Sequence, residues 1–365
     1  MSNIVIFYGS KTEFYKIIPT DHRTLTDLVY EIDKDSKSYV IHIQGQNENN
    51  KNDAPVVVEN FVVSSDEYAG VREHVIINFN NFLSKFVAEN IYLHNPPLQI
   101  SEQVKRLYPN IEIRYQDYSS ITLKNLKAIN NKYDSKIIGQ ENVKFELLQA
   151  LFPLTLENRI KPVVLLLYGK SGIGKTETAK FIAELIGEPL FRKQFSMFQN
   201  NQFATYLFGG AHYEKSFAKD LLDRESNVLL LDEFDKAHSS FHSAFYQLFD
   251  EGIYEDQNYY LKLDKSIIIC TSNYNDLDEI ETHLGSAIYN RFDKIIQFND
   301  LSDEAKLKIG EQKYESLLEV YKNHLTKEIL ERLSSSYVEC NNVREIHHLI
   351  EDTFALHAVL ENIKK

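Results

Sequence analysis

A glycine-rich octapeptide, Gly169–Thr176, constrains the fold of this chain more than any other feature of its sequence. It reads GKSGIGKT, follows the apolar run Val163–Tyr168 and precedes the helix-like run TETAKFIAELIG. A G-x-x-x-x-G-K-T sequence between a strand and a helix is typical of a phosphate-binding loop. Its glycines let backbone N–H groups face phosphate oxygens, and the helix N-terminus adds a favourable dipole. The octapeptide therefore predicts a nucleotide site in an α/β fold.

Two side chains of this loop carry the predicted chemistry. Lys175 is expected to reach the β- and γ-phosphates, and Thr176 to place its hydroxyl on Mg²⁺. The alternative is a glycine-rich turn with a lysine nearby, and the strand–helix context counts against it. The predicted cofactors are ATP and Mg²⁺.

Two further apolar runs lead into polar residues. Asn227–Leu231 ends at Asp232 and Glu233, and Ser266–Thr271 leads to Asn273. The carboxyl ends of parallel strands face the ligand crevice. We expect Asp232 to help hold Mg²⁺ through water and Glu233 to polarise the attacking water as a general base. Asn273 could orient that water or touch the γ-phosphate. The alternatives, a solvated acidic turn and a turn asparagine, are weaker beside a phosphate loop.

The pattern of the chain divides it into three predicted domains. Residues 1–118 alternate strand-like and helix-like pieces and predict a small α/β domain of unknown role. Residues 119–300 alternate helices with short apolar strands, as in a parallel sheet covered by helices. Residues 301–365 are helical in pattern, which predicts a small helical domain.

The N-terminal stretch carries no motif that indicates a chemistry. Its predicted strands are rich in β-branched and aromatic residues: Asn3–Tyr8, Tyr39–Ile43, Val56–Val63, Val75–Phe79 and Ile111–Tyr115. Asn81–Tyr92 has apolar residues at helical spacing and predicts a helix, and Gln44–Asp53 predicts an exposed loop. His42 and His94 have no partners at metal-ligand spacing, so we expect structural or surface roles.

Charge and composition exclude several classes of protein. The 365-residue chain has a formal net charge of −13 and no dense run of Lys and Arg, which counts against nucleic-acid binding. No apolar run approaches the length of about 18 residues that a membrane span needs. The N-terminus lacks a basic segment before an apolar core, so a cytoplasmic protein is expected. Of the two cysteines, Cys270 lies in an apolar run and is expected to be buried.

Taken together, these segments resemble the AAA+ superfamily, and within it the Clp-type branch, over about residues 136–355. Besides the Walker A octapeptide, the matching segments are IIGQ (Ile137–Gln140) beside the adenine, LLLDEFDKAH (Leu229–His238) as Walker B, SSFHSAFYQLFDEGIYED (Ser239–Asp256) as the helix and turn after it, IIICTSN (Ile267–Asn273) as sensor 1, YNRFDKIIQF (Tyr289–Phe298) as the arginine-finger segment and NVRE (Asn342–Glu345) as sensor 2. The resemblance implies a P-loop three-layer α/β AAA+ domain with a parallel sheet and a small α-helical C-terminal lid.

The resemblance also implies roles for individual residues. Arg291 would be the arginine finger, although a surface ion pair with Asp293 is an alternative, and Arg344 would be the sensor 2 arginine without the usual Gly-Ala before it. The catalytic residues would be Glu233, Asn273 and Arg291, and the metal residues Thr176 and Asp232. The nucleotide-binding residues would be Ile137, Ile138, Gly169, Ser171, Gly172, Ile173, Gly174, Lys175, Thr176, Glu177 and Arg344.

The family's finger comes from a neighbouring subunit, so the resemblance implies a homo-oligomer, a hexameric ring or spiral, whose lone subunit is nearly inactive. The sequence departs from the family where unfoldases carry a Gly-Tyr-Val-Gly pore loop. Here Leu207–Ser216 reads LFGGAHYEKS, with Tyr213 as the one candidate for gripping a substrate. A peptidase-docking Ile-Gly-Phe loop is also missing from the sequence.

Several functions stay open. The intact hydrolytic set favours a Clp-like motor that remodels proteins. The departure in the pore loop favours an ATP-dependent switch or scaffold, for example in a bacterial defence system, whose N-terminal domain recruits a partner. The acidic charge counts against a nucleic-acid loader. A P-loop kinase would leave Glu233, Asn273 and Arg291 without a role.

Overall fold

The computed structural model describes residues 2–38, 56–197, 202–321 and 325–363. The strands are β1 (Asn3–Tyr8), β2 (Arg23–Thr24), β3 (Val56–Val63), β4 (Phe86–His94), β5 (Ile111–Tyr115), β6 (Val163–Tyr168), β7 (Phe191–Gln194), β8 (Val228–Asp232), β9 (Ile253–Glu255), β10 (Tyr260–Lys262), β11 (Ile267–Ser272) and β12 (Lys294–Gln297). The helices are α1 (Lys11–Ile17), α2 (Leu25–Ser38), α3 (Glu73–Ile77), α4 (Phe79–Leu83), α5 (Leu98–Leu107), α6 (Leu123–Lys136), α7 (Glu141–Leu151), α8 (Lys175–Ile186), α9 (Gln202–Phe208), α10 (Phe217–Leu222), α11 (Tyr246–Glu251), α12 (Leu277–Leu284), α13 (Ser286–Tyr289), α14 (Asp303–Tyr321), α15 (Lys327–Tyr337) and α16 (Val343–Ile363). Among the described helices, none is both long and apolar enough to cross a membrane.

The chain folds into two compact units. The first unit contains residues 1–118, 200–225 and 253–262, and the second contains 119–199, 226–252 and 263–365. Two segments that follow β7 and α11 in the sequence thus belong to the first unit. The division into domains at 118 and 300 stays a prediction.

The first unit has a five-stranded parallel sheet in the order β2-β3-β4-β1-β5. Ile4 of β1 lies between Ile91 of β4 and Ile111 of β5. One face of the sheet packs against helices around a core that includes Phe61 and Phe79, both fully buried. The strands predicted at 3–8, 56–63 and 111–115 are confirmed.

Two predictions for the first unit are wrong. The stretch predicted as a strand at 75–79 lies in α3 and α4, because Ile76, Phe79 and Phe82 are buried at a spacing of three, which is helical. The stretch predicted as a helix at 81–92 is mostly β4, in which Phe86 and Ala88 are buried and Val87 between them is exposed. The predicted strand at 39–43, the loop at 44–53 and His42 lie outside the described residues.

The segment 202–225 is tied into the first unit by buried hydrogen bonds. His212 Nε2 lies 2.9 Å from the Val71 carbonyl oxygen. The Asp223 carboxylate accepts hydrogen bonds from Asn95 Nδ2 at 2.8 Å and Ser65 Oγ at 3.3 Å. Fully buried His94 donates from Nε2 to the Gly9 carbonyl at 2.8 Å, so its role is structural as predicted. This segment is therefore a packed part of the first unit.

The second unit has a five-stranded parallel sheet in the order β12-β6-β11-β8-β7. Every residue of β6, β8 and β11 is buried, because helices cover both faces of the sheet. Cys270 of β11 is fully buried, as predicted. The parallel direction brings the carboxyl ends of β6, β8 and β11 to one edge of the sheet, where the site lies.

The C-terminal residues of the second unit are helical, as predicted. α14 and α16 pack together, and the ring of Phe354 in α16 contacts the rings of Tyr314 and Tyr321 in α14, at 5.3 and 5.2 Å between ring centres. Gly310 permits α15 to approach α14, because a Cβ atom there would lie 2.3 Å from the ring of Tyr337. These helices form the small α-helical lid.

Candidate functional site

A cleft of about 900 Å³ lies at the carboxyl edge of the second sheet. Its walls come from the loop between β6 and α8, the ends of β7, β8 and β11, and the helices α14 and α16. The lining residues are Lys136, Ile137, Ile138, Ser171–Glu177, Lys180, Arg192, Gln194, Asp232, Glu233, Thr271, Asn273, Ile309, Gln312, Lys313, Ser316, Val343, Arg344 and His347. Of the residues predicted for the site, all except Gly169 and Arg291 lie in this lining.

The loop between β6 and α8 needs glycine at two positions. Gly169 has φ +133°, and a Cβ atom there would lie 2.5 Å from the Phe298 carbonyl oxygen. Gly174 has φ +114° and is the residue immediately before α8. Glycine adopts these conformations without a steric penalty. The loop can therefore turn sharply and place the N-terminus of α8 on the cleft, the arrangement that binds anions.

Lys175 holds the loop together from within. It is 7% exposed, and its Nζ donates to the carbonyl oxygens of Gly169 at 2.5 Å and Lys170 at 2.7 Å, and to Asn273 Oδ1 at 3.1 Å. Burial lowers the pKa of Lys175 to about 8, and the carboxylates of Asp235 and Asp232 oppose this shift. Lys175 therefore stays largely cationic at neutral pH and is directed towards the cleft.

Asp232, at the end of β8, has hydrogen-bond partners on both carboxylate oxygens. Oδ1 accepts from Thr271 Oγ1 at 2.6 Å, and Oδ2 accepts from Arg192 Nε at 3.0 Å and Nη2 at 2.5 Å. Thr271 Oγ1 also accepts a hydrogen bond from the backbone N–H of Glu233 at 2.9 Å. One hydroxyl of β11 thus fixes the two neighbouring acids.

Glu233 has an unusual backbone conformation for a non-glycine residue. Its φ of 55° and ψ of 44° lie in the left-handed region, where strained residues often serve function. Its Oε2 accepts a hydrogen bond from Gln194 Nε2 at 3.0 Å. Hydrogen bonds from Ser196 and Gln194 hold the pKa of Glu233 below its usual value. Glu233 is therefore ionised at neutral pH.

Thr176 and Asp232 are suited to Mg²⁺. Both place oxygen donors on the same cleft, and Mg²⁺ is usually held by one or two protein oxygens together with phosphates and water. In the described part of the chain no group of three or more His, Cys, Asp or Glu side chains is arranged around a metal position. The donors present fit a metal that arrives with a nucleotide.

The lid closes the opposite side of the cleft. The backbone N–H of Val343 donates to the Gly172 carbonyl at 3.0 Å, and Arg344 Nη1 lies 3.4 Å from Ser171 Oγ. Ile137 and Ile138, which follow α6, are buried and form an apolar part of the wall. An apolar wall beside a polar loop fits the base and the phosphates of a nucleotide respectively.

Basic side chains predominate in the lining. Six cations, Lys136, Lys175, Lys180, Arg192, Lys313 and Arg344, face three carboxylates, Glu177, Asp232 and Glu233. In a protein with a net charge of −13, this local excess of positive charge indicates an anionic ligand.

Arg291 lies outside the cleft lining and has partners of its own. Its Nε donates to Asp250 Oδ2 at 2.8 Å, and its guanidinium carbon lies 4.2 Å from the centre of the Tyr246 ring. The ion pair suggested with Asp293 is not the one found, because Asp293 pairs with Arg159 at 3.4 Å.

Strand β7 contributes two side chains to the site that no motif in the sequence indicates. Arg192 and Gln194 are two residues apart and point to the same side of a strand that pairs with β8. They contact Asp232 and Glu233 respectively. Their spacing of two residues indicates that they share one face of a strand. Only the pairing of this strand with β8 shows that the shared face lies beside Asp232 and Glu233.

This chain is similar to several known proteins. Residues 160–336 match the family model of the AAA domain (Cdc48 subfamily). The chaperone protein ClpB of Malacoplasma penetrans is 26% identical over 269 residues, covering 64% of this chain and 38% of the relative. The AAA+ ATPase ClpV1 of Pseudomonas aeruginosa is 33% identical over 152 residues, covering 38% of this chain and 17% of the relative. The ATP-dependent Clp protease ATP-binding subunit ClpE of Bacillus subtilis is 26% identical over 218 residues, covering 50% of this chain and 31% of the relative.

A solved structure of the Hsp104–ADP complex of S. cerevisiae has the same fold. Its TM-score is 0.53 at 21% identity, and the match covers 66% of this chain and 48% of that one. This chain spans less than half the length of these relatives. Residues 160–336 match the AAA domain family, and the predicted resemblance to Clp-type AAA+ proteins and the predicted α/β fold are confirmed.

Proposed function

We propose that this chain binds Mg²⁺–ATP and hydrolyses it, and that an assembled particle uses the hydrolysis to remodel a protein partner, as a Clp-like motor would. One observation carries the proposal. Lys175, Glu233 and Asn273, which follow three different strands, meet on one cleft, and Lys175 and Asn273 are joined by a hydrogen bond. The cleft thus combines a cation, a carboxylate and an amide, the set of groups that phosphoryl transfer to water requires.

Each side chain of the cleft has a task that follows from its environment. Lys175 and the N–H groups around Gly174 would bind the phosphates. Thr176 and Asp232 would hold Mg²⁺, which supplies charge neutralisation at the phosphate oxygens. Glu233 is ionised, so it can accept a proton from water, and Asn273 can orient that water. Gln194 and Ser196 hold the Glu233 carboxylate until water replaces one of them.

The position of Arg291 supports a site shared between copies of the chain. Arg291 lies outside the cleft lining of its own subunit and carries a planar fork suited to phosphate oxygens. A neighbouring copy in a hexameric ring or spiral would supply it. Hydrolysis would then depend on assembly.

The first unit would recruit the protein partner. It has its own core and a parallel sheet, and it shares no lining residue with the cleft. The predicted cytoplasmic location is part of the proposal.

A switch or scaffold is the second candidate, and the packing of residues 202–225 favours it. A threading motor needs a mobile loop that grips its substrate. Here the segment that contains Tyr213 is anchored by His212 and Asp223 within the first unit, although Tyr213 itself is 61% exposed. In the sequence this segment joins β7, which carries Gln194, to β8, which carries Asp232. A partner on the first unit could act on hydrolysis through these two connections.

Two measurements on the purified chain test the proposal. Phosphate release with Mg²⁺–ATP tests hydrolysis, and it is expected to stop when Mg²⁺ is chelated. An image of the ATP-bound particle tests the motor, which requires a central pore lined by Tyr213. Hydrolysis by a particle without such a pore would favour the switch, and no phosphate release at any protein concentration would refute hydrolysis and, with it, the motor.

A further inference from the structure

We infer that Tyr246 and Asp250 position Arg291, so that its guanidinium is directed to the nucleotide of a neighbouring copy of this chain. The inference rests on the proposed function, in which Arg291 completes the neighbour's site. Tyr246 and Asp250 have no place in the cleft of their own subunit. Through Arg291, they would act on the site of another subunit.

Helix α11 presents both residues to Arg291. Tyr246 and Asp250 are four residues apart on this helix, a spacing that places them on the same face. Asp250 Oδ2 accepts from Arg291 Nε at 2.8 Å. The Tyr246 ring lies under the guanidinium, with its centre 4.2 Å from the central carbon. The carboxylate thus holds Nε, and the ring face contacts the central carbon of the guanidinium.

A third contact leaves one end of the fork available. Arg291 Nη1 donates to the Ala287 carbonyl at 2.5 Å. Within the part of the chain that the structure describes, Nη2 has no hydrogen-bond partner. The two Nη2 hydrogens, together with the second Nη1 hydrogen, are thus the donors that can meet an oxygen from outside the subunit.

Positioning matters here because arginine has a long flexible side chain. The arginine must offer its planar fork to phosphate oxygens in one orientation. Arg291 is held by an ion pair, an aromatic ring and a backbone carbonyl before any partner arrives. Pre-ordering of this kind lowers the entropy lost when the fork reaches a phosphate.

The variants Asp250→Ala and Tyr246→Leu test the inference. Each is expected to lower the hydrolysis rate at saturating ATP by about tenfold or more, because a displaced catalytic group loses most of its effect. The affinity of each subunit for nucleotide and its melting temperature should stay unchanged. Tyr246→Phe restores the ring and should regain most of the lost rate. Glu251→Ala is the matched control, since Glu251 is the next acid on the helix and contacts Gln247, not Arg291.

Mixing the variants separates positioning from structural damage. Asp250→Ala subunits have an intact Glu233, and Glu233→Gln subunits have an intact Arg291 and Asp250. With random assembly at equal amounts, about a quarter of the sites combine both intact parts, so activity should return. The reference for this experiment is a mixture of Arg291→Ala and Glu233→Gln subunits, which tests the shared site itself. Co-assembly of the two variants is shown separately.

Each other outcome overturns a defined part. Wild-type rates in Asp250→Ala and Tyr246→Leu would refute the positioning role while the reference mixture still tests the shared site. If Glu233→Gln subunits restore activity when mixed with Arg291→Ala but not when mixed with Asp250→Ala, then Asp250 has only a structural role. Failure of the reference mixture itself would refute the shared site of the proposed function, and the positioning role with it.

Discussion

Arg192 and Asp232 form a forked ion pair in which Nε and Nη2 of the arginine both donate to one carboxylate oxygen, at 3.0 and 2.5 Å. The other oxygen accepts a hydrogen bond from Thr271. Asp232 is the acid predicted to hold Mg²⁺ through water. Arg192 therefore competes with metal-bound water for the same oxygen.

Replacement of Arg192 by alanine should make Mg²⁺ bind more readily with nucleotide. The half-saturating Mg²⁺ concentration is expected to fall by about two- to fivefold, since a partly exposed ion pair contributes only about 0.2–1 kcal/mol. Binding of a fluorescent nucleotide at increasing Mg²⁺ concentrations measures this half-saturating concentration. Lys193→Ala is the control, because neighbouring strand residues point to opposite faces. A higher Mg²⁺ requirement in Arg192→Ala would show instead that Arg192 binds the phosphates.

Lys175→Ala should abolish or strongly weaken nucleotide binding. Lys175 contributes charge-assisted bonds to phosphate, so the affinity is expected to fall by about 100-fold, or ~3 kcal/mol. The loss of the bonds from Lys175 Nζ to the Gly169 and Lys170 carbonyls also loosens the loop. Calorimetric titration with ATP measures the affinity. An unchanged dissociation constant would disprove the assignment of the phosphate loop.

Glu233→Gln should retain ATP binding but stop turnover. The amide has nearly the same shape as the carboxylate and can still accept from Gln194, but it cannot take a proton from water. Single-turnover hydrolysis is expected to slow by about 10²–10⁴-fold, while the assembled ATP-bound form accumulates. Hydrolysis close to the wild-type rate would mean that another residue activates the water.

The sequence predicted the edge of the second sheet well because each of its elements carries a local signal. β6, β8 and β11 are continuous apolar runs, and the residues after them are polar. β7 is short and only half-buried, so nothing local marks Arg192 as a partner of Asp232. That contact depends on which strand pairs with β8, which is a long-range choice. The partner of Arg291 likewise depends on packing: Asp293 is near in sequence, but Asp250 is near in space.

In the first unit, too, contacts between residues far apart in the sequence could not be predicted from local patterns. Asp223 lies in a segment that reads as part of the ATPase region, and no local pattern indicates that it bonds to Asn95 and Ser65. Phe82, Phe86, Val87 and Ile91 fit a helical spacing, which predicts a helix over 81–92, but Val87 is exposed. Tertiary packing, with alternate residues of β4 buried, decided between helix and strand.

The Asp223 cluster predicts a dependence of local stability on pH. Burial raises the pKa of Asp223 from 3.8 to about 6, against the hydrogen bonds from Asn95 and Ser65 and the charge of Lys219. The folded state thus binds a proton more tightly than the unfolded state. The penalty on the folded state is complete above about pH 6 and is lost as the pH falls towards 3.8. Acid should therefore stabilise this contact.

The comparison of wild type with Asp223→Asn isolates this effect. The wild type should gain about 1–2 kcal/mol relative to the variant as the pH falls from about 7 to about 4, allowing for partial exposure of the carboxylate. Burial lowers the pKa of His94 to about 4, which gives the opposite slope, but His94 is present in both proteins. Hydrogen exchange of the backbone amides in α10 measures the difference. A constant difference across this range would contradict the raised pKa.

The ATPase rate per subunit should rise with protein concentration. Arg291 lies outside the cleft of its own subunit, so dilution into monomers removes it from every site even though Lys175, Glu233 and Asn273 remain in place. The expected curve starts near zero and reaches a plateau at the concentration where light scattering shows the oligomer. Arg291→Ala should stay low throughout, although it assembles and binds nucleotide. A constant rate per subunit down to a demonstrably monomeric state would contradict the shared site. It would then favour a self-contained nucleotide switch, in which the observed Arg291–Asp250 pair serves only to stabilise the fold.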